Sequence, residues 1–95
     1  MKLTVEWMSQ LRVAAGSAQQ LLDCPDGTRL TEALEQALAE LPPDRALALR
    51  PLLLADEGLS STLLIAVDGV QVPCGTDPEL TAGATVLLSS PIAGG

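Results

Sequence analysis

The sequence lacks histidine, phenylalanine and tyrosine, and Trp7 is its single aromatic residue. Without histidine, neither a Ser-His-Asp triad nor a Cys-His pair can be assembled. A metal site is poorly supported for the same reason, and because there is no Cys-x-x-Cys motif. We therefore expect a protein that is not itself an enzyme and that binds neither a metal nor a cofactor.

Basic residues are also scarce, with 5 Lys and Arg against 12 Asp and Glu and a net charge of −7. This balance argues against nucleic acid and anionic membranes as partners, because both attract basic surfaces. A basic partner surface is the natural complement. The longest purely aliphatic run, Leu63 to Val67, is too short to span a bilayer, and the first residues do not resemble a signal peptide. Two cysteines, Cys24 and Cys74, fit reduced thiols in a cytoplasmic protein.

The chain of 95 residues allows one domain, spanning residues 1–95. Polar and apolar residues alternate over residues 2–9, which predicts a half-buried strand with Trp7 on one face and Met8 on the other. Residues 12–17 fit a turn, and residues 19–24 fit a second strand. These segments predict an N-terminal hairpin.

The next segment has a helical period. Apolar residues from Leu30 to Leu41 recur at i, i+3, i+4 and i+7, which places them on one stripe of a helix. Thr28 or Thr31 is a credible N-cap, and Pro42-Pro43 ends the helix. A short helix over residues 46–50, followed by a loop, is predicted next.

The C-terminal half returns to strands. Residues 62–67 predict a strand buried on both faces, and Asp68-Gly69 predicts a hairpin turn into a short strand at residues 70–72. Residues 84–90 predict the last strand, parallel to the first. The order predicts an α+β protein of the β-grasp, or ubiquitin-like, fold: a mixed sheet of four to five strands with one main helix on one face.

The sequence ends in Gly94-Gly95, after the short segment that begins at Pro91. Glycine has no Cβ, so such an end can enter a narrow channel and leaves its carboxylate unhindered. Residues 91–95 are expected to form a flexible, extensible tail that reaches about 17 Å from the domain. The alternative is a terminal segment with no role.

Several motifs together resemble the MoaD/ThiS family of ubiquitin-like sulfur carriers, which includes the small subunit of molybdopterin synthase. The resemblance spans almost the whole chain, and its most specific part is the ending. The matching segments are Leu11-Arg12 with Gly16, Pro25-Asp26-Gly27, Val67-Asp68-Gly69, Leu80 to Val86, and Pro91-Ile92-Ala93-Gly94-Gly95.

The resemblance implies that an E1-like adenylating enzyme uses ATP to activate the carboxylate of Gly95, which then becomes a thiocarboxylate. Gly94 would allow passage through the enzyme's channel, and a sulfur-accepting synthase, or large subunit, would take the sulfur. The residues expected to contact these partners are Met8, Arg12, Leu87, Pro91, Ile92 and Ala93. Core packing is the open alternative for Met8 and Leu87, because a one-residue error in register reverses the faces of a strand.

Three readings of function remain open. The favoured one is a sulfur carrier of the molybdopterin synthase type, with cysteine and thiamine pathways as alternatives. The second is a ubiquitin-like modifier that is joined to other proteins through Gly95. The third is a β-grasp interaction domain with no covalent chemistry.

Overall fold

The computed structural model describes residues 1–55, 58–60, 62–73 and 75–90. These residues form three helices and seven strands, two of which make a separate small hairpin. In chain order the elements are β1 (Lys2–Met8), α1 (Gln10–Ala15), β2 (Gln19–Asp23), α2 (Leu30–Glu40), α3 (Pro43–Leu53), β3 (Leu54–Ala55), β4 (Gly58–Leu59), β5 (Leu64–Val67), β6 (Val70–Gln71) and β7 (Thr85–Ser89).

The main sheet has five strands in the order β2-β1-β7-β5-β6. The central pair, β1 and β7, is parallel, and the other neighbours are antiparallel. The mixed sheet and the parallel pairing of the first and last strands are therefore confirmed. Most buried side chains are aliphatic, and the exceptions are Trp7, Cys24, Thr28 and Ser90.

The connection from β1 to β2 contains a helix, so the predicted turn over residues 12–17 is wrong. Leu11 and Ala15 lie four residues apart on α1 and are both buried in the core. Gly16 ends the helix in the left-handed conformation, with φ of 80°, and its N–H bonds to the carbonyl of Arg12. The buried stripe of α1 consists of Leu11 and Ala15 alone, which is too short for a helical period to be recognised in the sequence.

The second helix of the predicted pair is longer than expected. α3 spans Pro43–Leu53 rather than residues 46–50, and Pro51 lies within its last turn. Pro43 stands at the start, where its missing N–H costs nothing. Leu49 and Leu53 are both fully buried, and burial of each contributes about 1.5–3 kcal/mol, enough to offset a proline near the helix end. α3 packs against α1 and α2, so two further helices accompany the predicted main helix, α2.

α2 is confirmed at Leu30–Glu40, but neither predicted threonine is its N-cap. The hydroxyl of Thr28 donates to the carbonyl of Pro25. The first turn is capped by Asp77, whose carboxylate accepts hydrogen bonds from the N–H of Thr31 at 2.9 Å and from its hydroxyl at 2.7 Å. The capping carboxylate thus comes from a loop 46 residues further along the chain.

The helices cover only one face of the sheet, which corrects the prediction for β5. Leu64 is 46% exposed whereas Ile65 is 5% exposed, so this strand is buried on one face and not on both. The hairpin that follows is confirmed: Asp68 and Gly69 both have positive φ, as a type I′ turn requires. None of the helices described is long and apolar enough to cross a membrane.

Candidate functional site

The uncovered side of the sheet is formed by the outward side chains of β1, β2, β5 and β7. We call this surface the open face. Its residues are Lys2, Thr4, Glu6, Met8, Gln19, Leu21, Asp23, Leu64, Ala66, Thr85, Leu87 and Ser89. Its charged residues are Lys2, Glu6 and Asp23. Lys2 and Asp23 form an ion pair with each other, and the carboxylate of Glu6 accepts a hydrogen bond from Gln19 Nε2 at 3.3 Å. The open face is therefore nearly neutral.

Much of the net negative charge lies elsewhere. Glu32, Glu35 and Glu40 belong to α2, on the helical side of the sheet. Within the open face, at the end away from the last residue of β7, Lys2 Nζ and Asp23 Oδ2 form an ion pair at 3.0 Å, and this pairing holds the pKa of Asp23 below its usual value. Of the acids, the open face holds Glu6 and Asp23, and Asp23 is paired with Lys2, so a basic partner is not the natural complement of this surface.

The other end of the open face lies where β7 ends. Met8 is paired with Ser89 of β7, which is paired in turn with Leu64 of β5. Side chains opposite one another on neighbouring strands have Cβ atoms about 4.5–5.5 Å apart, so these three form a continuous strip. Met8 is 44% exposed. The chain passes from this strip through the buried Ser90 into residues 91–95.

Leu87 lies in the next strip, between Glu6 of β1 and Ala66 of β5. It is half-buried, on the same face as Met8 and diagonal to it. Both side chains point away from the helices, so the alternative of core packing beneath a helix is excluded. Their proposed contact with a partner stays a prediction.

Arg12 is not part of the open face. It lies on α1, exposed, while its neighbour Leu11 enters the core on the helical side of the sheet. The remaining predicted contact residues, Pro91, Ile92 and Ala93, and the predicted reactive glycines, Gly94 and Gly95, lie outside the described residues, as does Cys74.

Sequence reasoning missed Leu64 and Leu21 as members of this face. Leu64 belongs to an apolar run in which no alternation marks an outward side. Leu21 is an exposed leucine on an edge strand, opposite Thr4. The one available signal was the pairing of strands, since the outward side of β1 fixes the outward side of every strand registered with it.

The rest of the described surface offers little chemistry. A cavity of about 680 Å³ lies between α2, the end of α3 and β4. Two of its lining residues, Arg50 and Glu35, form an ion pair with each other at 2.7 Å. Burial raises the pKa of the Cys24 thiol, which favours an inert, protonated side chain. No cluster of three metal-ligating side chains occurs among the residues described.

Solved structures with the same arrangement are small proteins of similar length. A crystal structure of SAMP1 from Haloferax volcanii superposes with a TM-score of 0.79 at 21% identity, covering 100% of both chains. The solution structure of small archaeal modifier protein 1 from Methanosarcina acetivorans gives 0.75 at 21% identity, covering 99% of this chain and 96% of that one. A Pyrococcus furiosus protein assigned as molybdopterin converting factor, subunit 1, gives 0.70 at 23% identity, covering 97% and 99%.

No protein-family model matches the sequence, and no curated protein matches it either. At identities of this size the structural likeness establishes the fold. It confirms, at that level, the resemblance seen in the sequence: the chain has the ubiquitin-like β-grasp fold.

Proposed function

We propose that this protein is a sulfur carrier of the ubiquitin-like type, and that it carries the sulfur as a thiocarboxylate at Gly95. The observation that supports this most is the position of the open face. Its apolar end, at Met8 and Leu64, adjoins the last residue of β7, from which the chain runs through five further residues to Gly95. A partner that docks on this face can receive the tail directly.

The chemistry requires nothing from the carrier beyond its carboxylate. In the proposed first step, a carboxylate oxygen of Gly95 attacks the α-phosphorus of ATP, and pyrophosphate leaves. Hydrosulfide then attacks the carbonyl carbon of the acyl adenylate, AMP leaves, and loss of the proton on sulfur gives the thiocarboxylate. ATP belongs to the activating enzyme, so the chain is a co-substrate, with no cofactor of its own.

Docking increases the rate of these steps by fixing the carboxylate near the nucleotide. Gly94 and Gly95 have no side chain to obstruct a narrow channel. The proposed partners are an E1-like adenylating enzyme and then a sulfur-accepting synthase, both in the cytoplasm. Among accepting pathways we favour molybdopterin synthesis, because one similar structure is assigned as a molybdopterin converting factor subunit.

A second function begins with the same activation. Two of the similar structures are small archaeal modifier proteins, which favours a modifier joined through Gly95 to amino groups of other proteins. In that case the amine of a target attacks the activated carbonyl carbon, and an amide forms. The two functions differ in the nucleophile and not in the carrier.

Intact mass distinguishes them. The native protein is isolated from cells, and its mass first establishes that the mature chain ends at Gly95. Incubation with the activating enzyme, ATP and a sulfur donor is then expected to replace one oxygen with sulfur, whereas a modifier gives adducts with other proteins. A variant lacking Gly94 and Gly95 is the control and gives neither product. If the complete chain also gives neither, the proposed function is wrong.

A further inference from the structure

Ser9 has an unusual backbone conformation, with φ of 54° and ψ of −132°. Among the described residues with positive φ, all are glycine except Ser9 and Asp68. Asp68 is explained by its type I′ turn and by its carboxylate, which accepts a hydrogen bond from the N–H of Thr85 at 2.9 Å. Ser9 is the single residue that joins β1 to α1, which accounts for its unusual backbone angles, but its side chain does not cap α1. Glycine would adopt this conformation more readily.

The side chain of Ser9 lies at the tail end of the open face. Ser9 directly follows Met8, and its Oγ is 3.4 Å from the Oγ of Ser89, the residue paired with Met8. The two hydroxyls stand beside the exposed apolar side chains of Met8 and Leu64, one residue before Ser90. The two hydroxyls form a small polar patch at the apolar end of the nearly neutral open face.

We propose that the hydroxyls of Ser9 and Ser89 together bind a main-chain amide group of the activating enzyme, and that this contact is why serine stands at a position suited to glycine. A hydroxyl both donates and accepts a hydrogen bond without charge, so the pair complements a neutral peptide group better than a charged side chain. Backbone strain of this kind is expected at functional positions. The inference rests on the proposed function and names a contact of that same site.

The contact fixes the position of the docked carrier. Apolar surfaces such as Met8 and Leu64 slide past a partner with little directional preference, whereas a hydrogen bond sets one register. The contact lies at the last strand residues before the tail, so an error in register there displaces the Gly95 carboxylate directly. Ser9 and Ser89 are thus positioning residues and have no part in the chemical step.

Three variants test this with the activating enzyme, using ATP-dependent release of pyrophosphate. Ser9→Ala removes the hydroxyl and retains the strain, and it is expected to raise the KM for the carrier about threefold to tenfold without changing kcat, as for one lost hydrogen bond. Ser9→Gly is expected to raise KM equally while increasing the Tm by about 4–8 °C, because it relieves the strain. Adding Ser89→Ala to Ser9→Ala is expected to change KM little further, because both hydroxyls bind one group.

Thr81→Ala is the matched control, since it removes an exposed hydroxyl near the opposite end of β7, and its KM should equal that of the wild type. If the wild type is activated and Ser9→Ala keeps the wild-type KM, the inference is overturned and the proposed function stands. The same conclusion follows if Ser9→Ala lowers only kcat. If the enzyme does not activate the wild type, the proposed function fails and the inference with it.

Discussion

Substitution of Met8 tests whether the open face is the docking surface. Complete burial of a methionine side chain is worth about 1.5–3 kcal/mol, so burying the 44% that is exposed is worth about 0.7–1.3 kcal/mol. Met8→Ala removes most of this gain and is expected to raise the KM of the activating enzyme for the carrier about threefold to ninefold. Met8→Asp should raise KM by about tenfold or more, because docking would then also bury an unpaired carboxylate.

The assay is the initial rate of pyrophosphate release against carrier concentration. Leu47→Asp is the control: Leu47 is a comparable apolar residue on α3, on the helical side of the sheet, and is 77% exposed. Its KM should be that of the wild type. Circular dichroism and thermal unfolding establish that each variant is folded. A folded Met8→Asp protein with wild-type KM would refute the assignment of the open face as the docking surface.

Three further predictions concern stability. Gly16→Ala should destabilise the fold by about 1–2 kcal/mol from its φ of +80° alone, and by more because a Cβ there would lie 2.5 Å from the guanidinium of Arg45. Asp77→Ala should lower the free energy of unfolding by about 0.5–2 kcal/mol, since α2 loses its capping carboxylate. Asp23 has a lowered pKa in the folded state, so its ion pair stabilises the protein above pH 3.8, and that stabilisation should be lost as the pH falls through the folded-state pKa.

Urea unfolding measures all three. Gly83→Ala is the control for Gly16→Ala, because φ is +81° at Gly83 and no atom lies within 4 Å of the added Cβ. Equal losses at the two glycines would show that Arg45 simply moves aside. Asp77→Asn, which retains one acceptor oxygen, should lose less than Asp77→Ala. The stability difference between the wild type and Asp23→Asn should shrink below pH 3.8, and a constant difference would contradict the ion-pair interpretation.

The candidate site could be predicted in part. The alternation in β1 placed Met8 opposite Trp7, and this is confirmed because a strand with one buried face fixes the orientation of every side chain. Arg12 is predicted to contact the same partners as Met8, and that contact stays a prediction. The segment after β1 forms the helix α1, which packs on the helical side of the sheet. Arg12 therefore lies away from the open face, although it is only four residues from Met8 in the sequence.

The sequence by itself determined the elements whose patterns are local. The alternation of β1, the apolar stripe of α2 and the Asp68-Gly69 turn depend on neighbouring residues, and together they specified the β-grasp order. The features that depend on contacts between residues far apart in the sequence were decided only by the tertiary structure. The cap on α2 comes from Asp77, and Pro51 is accommodated in α3 by burial of leucines beside it. The exposure of Leu64, and its place beside Ser89, follow from which face of the sheet the helices cover, because pairing between strands far apart in sequence leaves no local pattern.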